Sequence, residues 1–252
     1  MDVPTFLLLL VAAFSCKVAA WGDVGHIVTC MIAESFFKAP TQNAVTDLLS
    51  ATGLNFSQSC TWADHVKRSY AYRWSAPLHF ADTPDNVCGY DDERDCHFLG
   101  FKNVCCTAAV YNYTSQLENQ RLLAYNRTEA LMFLSHYLGD IHEPMHMGFL
   151  GDLGGNRVRV SWCGTKILFT RLYQGRRGCR GRKFGCPLRY AEEGVKIACG
   201  WGYKDVSQNF TLADEYFETR WPIVKFLLAR GGVRLGGILN EVFNEGAVRN
   251  YE

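Results

Sequence analysis

The chain has 252 residues with 26 basic and 25 acidic side chains, so its formal net charge is +1. This near-neutral balance argues against a protein that grips duplex DNA through charge alone, but it does not exclude an enzyme that acts on single strands. A chain of this length can bury a substantial core, so cysteines are not its only source of stability.

The first twenty residues predict a secretory signal peptide. An apolar run at 7–14 is followed by Val18, Ala19 and Ala20, a small-residue cleavage site. The run is too short for a membrane-spanning helix, and no later stretch approaches the ~20 residues that such a helix needs. We therefore expect no membrane association, a mature chain that begins at Trp21, and a secreted or vacuolar location.

Glycosylation and cysteine patterns predict the same compartment. Four sequons predict N-glycans, at Asn55, Asn112, Asn126 and Asn209. Loss of Cys16 with the signal peptide leaves ten cysteines, which predict up to five disulfides. Cys105 and Cys106 are expected to pair with Cys88 and Cys96 in some order, because all four fall in one short, loop-rich stretch.

Residues 21–252 are predicted to form a single domain made mostly of helices. Apolar residues recur at helical spacing in 27–36, 128–141, 223–227 and 235–243, and Gly231 and Gly232 predict a break between the last two helices. Valines alternate with arginines in 156–162, which predicts a short hairpin or an edge strand. The basic, glycine-rich stretch before Cys186 is predicted to be a solvated loop; its charge could alternatively attract phosphate backbones.

The stretch SHYLGDIHEPMH at 135–146 holds three of the seven histidines. His136 and Asp140 are four residues apart in a predicted helix, so they share a face and can point at a common centre. Pro144 is expected to end this helix and to give His146 a new direction. The arrangement suits zinc, but a helix dipole also favours histidines at a helix end, so both interpretations stay open.

The remaining histidines differ in setting. His142 lies between two candidate ligands and is expected to support them rather than to bind metal. His26 lies five residues after the predicted new N-terminus, whose free amino group can itself bind a metal. His65 and His97 lack such a setting, and we interpret them as surface or packing residues.

Four motifs together resemble a known family: WGxxGH at 21–26, WAD at 62–64, LHFxD at 78–82 and the histidine-rich stretch at 135–146. They resemble the zinc-dependent, single-strand-specific nucleases of plants and fungi, which are distantly similar to bacterial zinc phospholipase C. The likeness extends from Trp21 to about Lys166 and resumes at Cys179. The resemblance implies an all-α fold, a mostly helical single domain of the zinc phospholipase C and zinc nuclease type with a short β-hairpin. It also implies a monomer with three zinc ions in a cleft.

The resemblance assigns zinc ligands residue by residue. Seven positions match the family's ligands: Trp21, His26, Asp64, His79, His136, Asp140 and His146. Asp140 is implied to be shared between a first ion, held with Asp64, His79 and His136, and a second. The second would also use His26 and the amino and carbonyl groups of Trp21, and His146 would belong to a third.

Substrate contacts and one disulfide are implied in the same way. Phe80 and Asp82 fall where the family stacks and hydrogen-bonds a nucleobase, and Asn156 matches another base-site residue. Lys67 is a candidate phosphate contact. Phe80 taken alone would be interpreted as a core aromatic. The resemblance also implies a disulfide between Cys30 and Cys60.

The implied activity is endonucleolytic hydrolysis of RNA and single-stranded DNA to 5′-phosphorylated products, with 3′-nucleotidase activity as a possible second reaction. Two zinc ions that share a carboxylate can lower the pKa of a bridging water towards ~7, and Asp64 would be the catalytic residue that orients it. Stacking on Phe80, worth ~1–3 kcal/mol, requires an unpaired base. Single-strand preference would follow.

The chain departs from the family after the hairpin. Family members complete the third zinc site with a His-x-x-x-Asp pair, whereas this chain has no histidine after His146 and only twelve residues between Lys166 and Cys179. We therefore expect that a family segment is missing between 166 and 179 and that two zinc sites are retained, with Asp152 and Cys163 as the nearest conceivable substitutes.

Two alternative functions stay open. One is a catalytically impaired family member that binds metal or nucleic acid without turnover, which the missing ligand pair favours. The other is phospholipase-type hydrolysis on the same metal frame, which Phe80 and Asp82 disfavour because they suit bases better than lipid headgroups.

Overall fold

The computed structural model of the chain describes residues 21–162, 165–168 and 186–244. Its α-helices in chain order are α1 (Asp23–Glu34), α2 (Ala39–Leu49), α3 (Phe56–Ser59), α4 (Trp62–Val66), α5 (Asp92–Asp95), α6 (Cys106–Glu118), α7 (Ala124–Asp140), α8 (Pro187–Ile197) and α9 (Asp214–Asn244). Two 3-10 helices, Arg73–His79 and Pro144–Met147, and a π-helical turn, Ala198–Gly202, complete the helical part. The predicted mostly helical fold is confirmed. The predicted signal peptide, Cys163 and Cys179 lie outside the described residues.

Helix α7 forms the centre of the core. Residues 130–140 of this helix are all buried, as expected for a helix that other elements surround. Helix α6 packs along it, and the rings of Tyr113, Phe133 and Tyr137 stack at centroid distances of 4.8 and 5.5 Å. Because each buried large side chain contributes about 1.5–3 kcal/mol, α7 is the rigid frame on which its polar residues are held.

The predicted end of α7 is close to the observed one. The helix ends at Asp140 with Ile141 as its C-cap, and Pro144 begins the following 3-10 helix. The chain therefore turns before the proline, and His146 leaves in a new direction, as the sequence predicts.

The predicted break at Gly231 and Gly232 is wrong, because α9 runs through both residues without interruption. A β-carbon on Gly232 would lie 2.6 Å from the Cβ of Ile32, and one on Gly231 would lie 3.3 Å from the Cγ2 of Thr29. The glycines thus allow α9 to lie directly against α1. This close packing outweighs the roughly 1 kcal/mol that each glycine costs inside a helix.

The predicted hairpin is present. Strand β3 (Arg159–Trp162) pairs antiparallel with β4 (Thr165–Leu168), and β5 (Phe210–Thr211) pairs parallel with β3 on its other side. A second, shorter hairpin is formed by β1 (His97–Phe98) and β2 (Phe101–Lys102). The basic stretch that was predicted to be a loop lies outside the described residues between 168 and 186.

The disulfides only partly follow the prediction. Cys30–Cys60 and Cys96–Cys105 are formed, and Cys186 is also disulfide-bonded. Cys88 pairs with Cys199 and not with Cys105 or Cys106.

Cys106 is free and buried, so the predicted maximum of five disulfides is not reached. Its sulfur lies 4.0 Å from the Sδ of Met147 in the core, and none of the described cysteines pairs with it. The prediction assumed that cysteines close in sequence pair with each other, but Cys88 pairs with a residue 111 positions away.

Within the described ranges, no helix combines the length and apolar character needed to cross a membrane.

Candidate metal centre

Six of the seven predicted ligand side chains converge beside the last turn of α7. Five elements position them: α7 carries His136 and Asp140, α1 carries His26, α4 carries Asp64, one 3-10 helix ends at His79 and the next contains His146. The spacing of four on α7 places His136 and Asp140 on one face, as predicted. The centre is therefore assembled around the most buried helix of the fold.

One oxygen of Asp140 faces a first pair of imidazoles. Asp140 Oδ2 lies 2.8 Å from Nδ1 of His79 and 3.1 Å from Nε2 of His136. These two ring nitrogens are 3.1 Å apart. Asp64 Oδ1 lies 3.7 and 3.6 Å from the same two nitrogens. The structure thus brings together the four side chains that the resemblance assigned to the first ion, and their binding of zinc stays a prediction.

The other oxygen of Asp140 faces a second pair. Asp140 Oδ1 lies 3.4 Å from Nε2 of His26 and 3.1 Å from Nδ1 of His146. The His26 ring stacks on the His136 ring at 3.7 Å. A β-carbon on Gly139 would lie 2.8 Å from Nδ1 of His26, so glycine permits this approach to α7. Asp140 therefore stands between two sets of donors.

Trp21 lies at the start of α1, next to this second set. Its ring is buried, and its centroid is 6.4 Å from that of His26. The structure thus places the ring of Trp21 beside that of His26, and metal binding by its main-chain groups stays a prediction.

The donors fit a metal centre. Several of their buried atoms have no hydrogen-bond partner among the described residues: both ring nitrogens of His26, Nε2 of His79, Oδ1 of Asp140 and Nδ1 of His146. Leaving such an atom unsatisfied costs about 1–3 kcal/mol. A bound cation would offset this cost for the atoms that face the centre: Oδ1 of Asp140, Nε2 of His26 and Nδ1 of His146. Imidazole nitrogens with carboxylate oxygens suit zinc. Two triplets are each close enough to hold one ion, His26 with Asp64 and His136, and His79 with His136 and Asp140. Both include His136, so they cannot each hold an ion through it at the same time.

Hydrogen bonding and charge prepare these groups for a cation. His136 donates its Nδ1–H to the carbonyl oxygen of Cys60 at 2.7 Å, which directs Nε2 to the centre. Burial opposes ionisation of Asp140, but His136 and the other imidazoles outweigh it and hold its pKa well below the usual range. Burial lowers the pKa of His79 to about 4, so that imidazole is neutral at pH 7. Ionised carboxylate and neutral imidazole are the forms that bind metal. Burial opposes protonation of His136 and His146, but Asp140 outweighs it and raises the pKa of His136 to about 10 and that of His146 to about 9. These two imidazoles must therefore release a proton when a metal binds.

His142 is not where it was predicted to be. Its Nδ1–H donates to the carbonyl oxygen of Leu138 at 2.6 Å, and Nε2 lies 2.7 Å from Nη1 of Arg234, which also pairs with Glu193 at 3.0 Å. The side chain faces α8 and α9 instead of the ligands, because the chain has already left the axis of α7. Sequence reasoning missed this network, since Arg234 and Glu193 are far away along the chain.

His65 and His97 are exposed, which confirms the interpretation of both as surface residues. His65 Nε2 lies 3.3 Å from Oδ1 of Asp23. Neither residue belongs to the centre.

Lys67 and the predicted base-site residues lie around the centre. Lys67 Nζ is 2.5 Å from Oδ1 of Asp64. Ala81 N donates to the carbonyl oxygen of His146 at 2.8 Å, which holds the half-buried Phe80 and Asp82 beside that ligand.

The turn that carries Asn156 reaches the same place. A β-carbon on Gly154 would lie 3.3 Å from Oδ1 of Asp82, so the turn packs directly on that carboxylate. Asn156 is exposed and donates to the carbonyl oxygen of Leu153. Burial raises the pKa of Asp82 to about 7. Phe80 and Asp82 therefore lie beside the turn that carries Asn156.

Asp152, one conceivable substitute ligand, is committed elsewhere. Its Oδ1 accepts hydrogen bonds from Gly155 N at 2.6 Å and from the Tyr203 hydroxyl at 2.9 Å. It belongs to no group of potential ligands in the described part of the chain. The other conceivable substitute, Cys163, lies outside the described residues.

The comparison with known proteins agrees with this geometry. The family described as S1/P1 Nuclease matches residues 21–175 and 173–244. Endonuclease 3 of Arabidopsis thaliana is 39% identical over 89% of both chains, and Endonuclease 2 of the same plant is 39% identical over 90% of this chain and 92% of its own. Nuclease S1 of Aspergillus oryzae is 36% identical over 57% of this chain and 50% of its own. This chain belongs to the S1/P1 nuclease family.

Proposed function

We propose that the protein is a zinc-dependent phosphodiesterase that cleaves RNA and single-stranded DNA endonucleolytically and leaves 5′-phosphorylated products. The observation that carries the proposal is Asp140, whose two buried oxygens face two different pairs of imidazoles. Relatives named as endonucleases and nucleases support the reaction class. Removal of 3′-phosphates from nucleotides is proposed as a second reaction of the same centre, and the protein is proposed to act as a monomer.

Seven residues would hold zinc: Trp21, His26, Asp64, His79, His136, Asp140 and His146. Zinc bound there supplies a water of lowered pKa and draws charge from the phosphoryl oxygens. Asp64 is the candidate catalytic residue because its side chain is 24% exposed, whereas that of Asp140 is 1% exposed. Its carboxylate can therefore meet and orient an incoming water, and Lys67 beside it can offer positive charge to the substrate phosphate.

Single-strand preference is proposed to come from the base site. Phe80 offers a half-buried ring for stacking, and Asp82 and Asn156 offer polar atoms for a base edge. A base can enter such a site only after it leaves its partner strand. These residues also favour nucleic acid over a lipid headgroup.

We propose that removal of the signal peptide after Ala20 completes the ligands of the second zinc ion. The amino and carbonyl groups of Trp21 would become ligands only if the chain begins there. The buried position of Trp21 beside His26 supports this role. The disulfides and the exposure of all four sequon asparagines support passage through the secretory pathway, with N-glycans and a secreted or vacuolar destination.

We also propose that a family segment is missing between residues 166 and 179, so that two zinc ions are retained and the third site is incomplete. Alignments with Endonuclease 3 and Endonuclease 1 of Arabidopsis thaliana extend over 267 and 280 residues, more than the 252 of this chain. The two adjoining family matches, 21–175 and 173–244, fit the same interpretation.

The incomplete third site favours a second candidate function, an impaired enzyme that binds metal or nucleic acid without turnover. The commitment of Asp152 to Tyr203 and Gly155 removes one substitute ligand. Loss of one electrostatic contact to the leaving group costs about 3 kcal/mol, or roughly a hundredfold in rate.

Zinc content and activity of the secreted protein test these proposals together. Plasma emission spectrometry is expected to find two zinc ions per chain, and chelator is expected to abolish hydrolysis of denatured DNA. Three ions would overturn the incomplete third site. A zinc-loaded protein that binds but does not cleave denatured DNA would establish the impaired enzyme, and a protein without zinc would refute the hydrolytic mechanism.

A further inference from the structure

A short surface segment, KRSYAYRW at 67–74, joins two of the candidate ligands. It starts directly after α4, which carries Asp64, and continues into the 3-10 helix that ends at His79. We call residues 67–74 the 67–74 surface. A ligand bound along this surface would therefore extend towards the metal centre.

Two of the three aromatic side chains of the 67–74 surface are unusually open to solvent, whereas Tyr72 packs against the core. Tyr70 is 83% exposed and Trp74 is 54% exposed. Trp74 is nevertheless held in place, because its ring lies 5.8 Å from that of Phe133 and its Nε1–H donates to the carbonyl oxygen of Ala71 at 2.9 Å. The surface thus presents ordered rings that contribute little to the buried core.

Cationic groups alternate with these rings. Arg68 and Arg73 are exposed and pair with no acidic side chain in the described part of the chain. The guanidinium of Arg73 lies 4.1 Å above the ring of Tyr70, a cation–π contact that steadies both side chains. Lys67 pairs with Asp64 at the end nearest the centre. The positive charge of the segment is therefore available to an anionic ligand.

The segment is compact enough for one ligand to reach all of it. Seven extended residues span at most ~25 Å. Here the backbone is folded by turns, with Ser69 N donating to Val66 O at 2.8 Å and Arg73 N to Ser69 O at 3.0 Å. The two rings therefore lie close enough for neighbouring nucleotides of one strand.

We propose that the 67–74 surface binds the part of a single-stranded nucleic acid that lies beyond the nucleotide at the metal centre. Tyr70 and Trp74 would stack unpaired bases, and Arg68 and Arg73 would contact phosphates. Rings interleaved with cations are the combination that binds single strands without sequence preference. A duplex offers no free base faces to such rings. This inference rests on the proposed function and extends it to long substrates.

Two double variants test the proposal. Tyr70→Ala with Arg73→Gln removes one exposed ring and one cation from the 67–74 surface. Phe101→Ala with Lys102→Gln is the matched control, because it removes an exposed ring and a cation from the β1–β2 hairpin with the same change in charge. Binding is measured by fluorescence anisotropy on the full chelated chain, with labelled oligothymidylate of about fifteen nucleotides and with thymidine dinucleotide.

The Tyr70 and Arg73 variant is expected to raise the Kd for the long strand about tenfold and to leave the dinucleotide unchanged. The slope of log Kd against log salt should fall by about 0.7, the contribution of one phosphate contact on a single strand. On zinc-loaded protein, kcat/KM should fall for the long strand and stay constant for the dinucleotide. The control is expected to match the parent protein in every measurement.

The proposal would be overturned if the variant left the Kd for the long strand unchanged, or raised the Kd for the dinucleotide by the same factor. Cleavage of denatured DNA by the parent protein would still support the proposed nuclease activity. The parent protein could instead cleave no substrate and still bind the long strand more tightly than the Tyr70 and Arg73 variant does. That result would support strand binding by the 67–74 surface and refute the proposed nuclease activity.

Discussion

The metal centre and the turn at 148–156 lie side by side but are built differently. In the centre, His136 and Asp140 are buried, stand on one long helix and are held by partners from α1, α4 and a 3-10 helix. In the turn, Leu153 and Gly154 adopt positive φ angles of 55° and 60°.

The turn also depends on local hydrogen bonds of Asp152, and Asn156 within it is exposed. A core helix holds metal donors with little freedom, whereas a surface turn can change without loss of the core. The family segment that we propose to be missing lies just after this turn in the sequence.

The strongest way to break the centre is Asp140→Asn. The substitution keeps the size of the side chain but removes the negative charge that two pairs of imidazoles share. We expect zinc content to fall below one ion per chain and hydrolysis of denatured DNA to fall at least a hundred- to a thousandfold. Emission spectrometry and an initial-rate assay check this, with the exposed Asp47→Asn as a charge-matched control. Full zinc content in Asp140→Asn would contradict the shared role.

Removal of the metal should lower the stability of the protein, because the donors of the centre are buried. Without ions, buried donors such as Nε2 of His26 and Oδ1 of Asp140 stay unsatisfied, at about 1–3 kcal/mol each. We expect chelator to lower Tm by about 10 °C or more, and added zinc to restore it. Calorimetry measures both. A Tm that does not respond to chelator would show that no metal binds to the folded centre.

The packing that brings His26 to the centre can be tested on α9. Gly232→Ala would place a methyl group 2.6 Å from the Cβ of Ile32 on α1, so we expect a loss of about 1–3 kcal/mol in the free energy of unfolding. Gly237→Ala on the same helix meets no atom within 4 Å and should instead stabilise the protein by up to about 1 kcal/mol. Urea denaturation compares the two variants. Equal effects would mean that α1 and α9 are not in close contact.

The last prediction concerns Asp82, beside the turn. Burial raises its pKa to about 7 from a usual value of 3.8, so the protonated form is favoured in the folded state. This contribution to stability is complete below about pH 4 and is lost as pH rises through 7. Parent protein should therefore lose stability from pH 5 to pH 8 relative to Asp82→Asn. Urea denaturation at both values checks the sign, and an equal pH dependence in the two proteins would disprove it.

Local patterns in the sequence determined much of this protein. The apolar period predicted α7, and the spacing of four placed His136 and Asp140 on one face, because helical geometry depends only on near neighbours. The alternation around Val158 and Val160 predicted the hairpin for the same reason. The four separated motifs predicted the family, and the structure brings the side chains of these motifs together.

Only the tertiary structure decided the contacts between distant segments. It paired Cys88 with Cys199, turned His142 towards Arg234, and used Gly231 and Gly232 for close packing where the sequence predicted a break. It also gave the two oxygens of Asp140 different partners. The physical reason is that these outcomes depend on which surfaces of the helices meet in the core, and short-range periodicity carries no information about that choice.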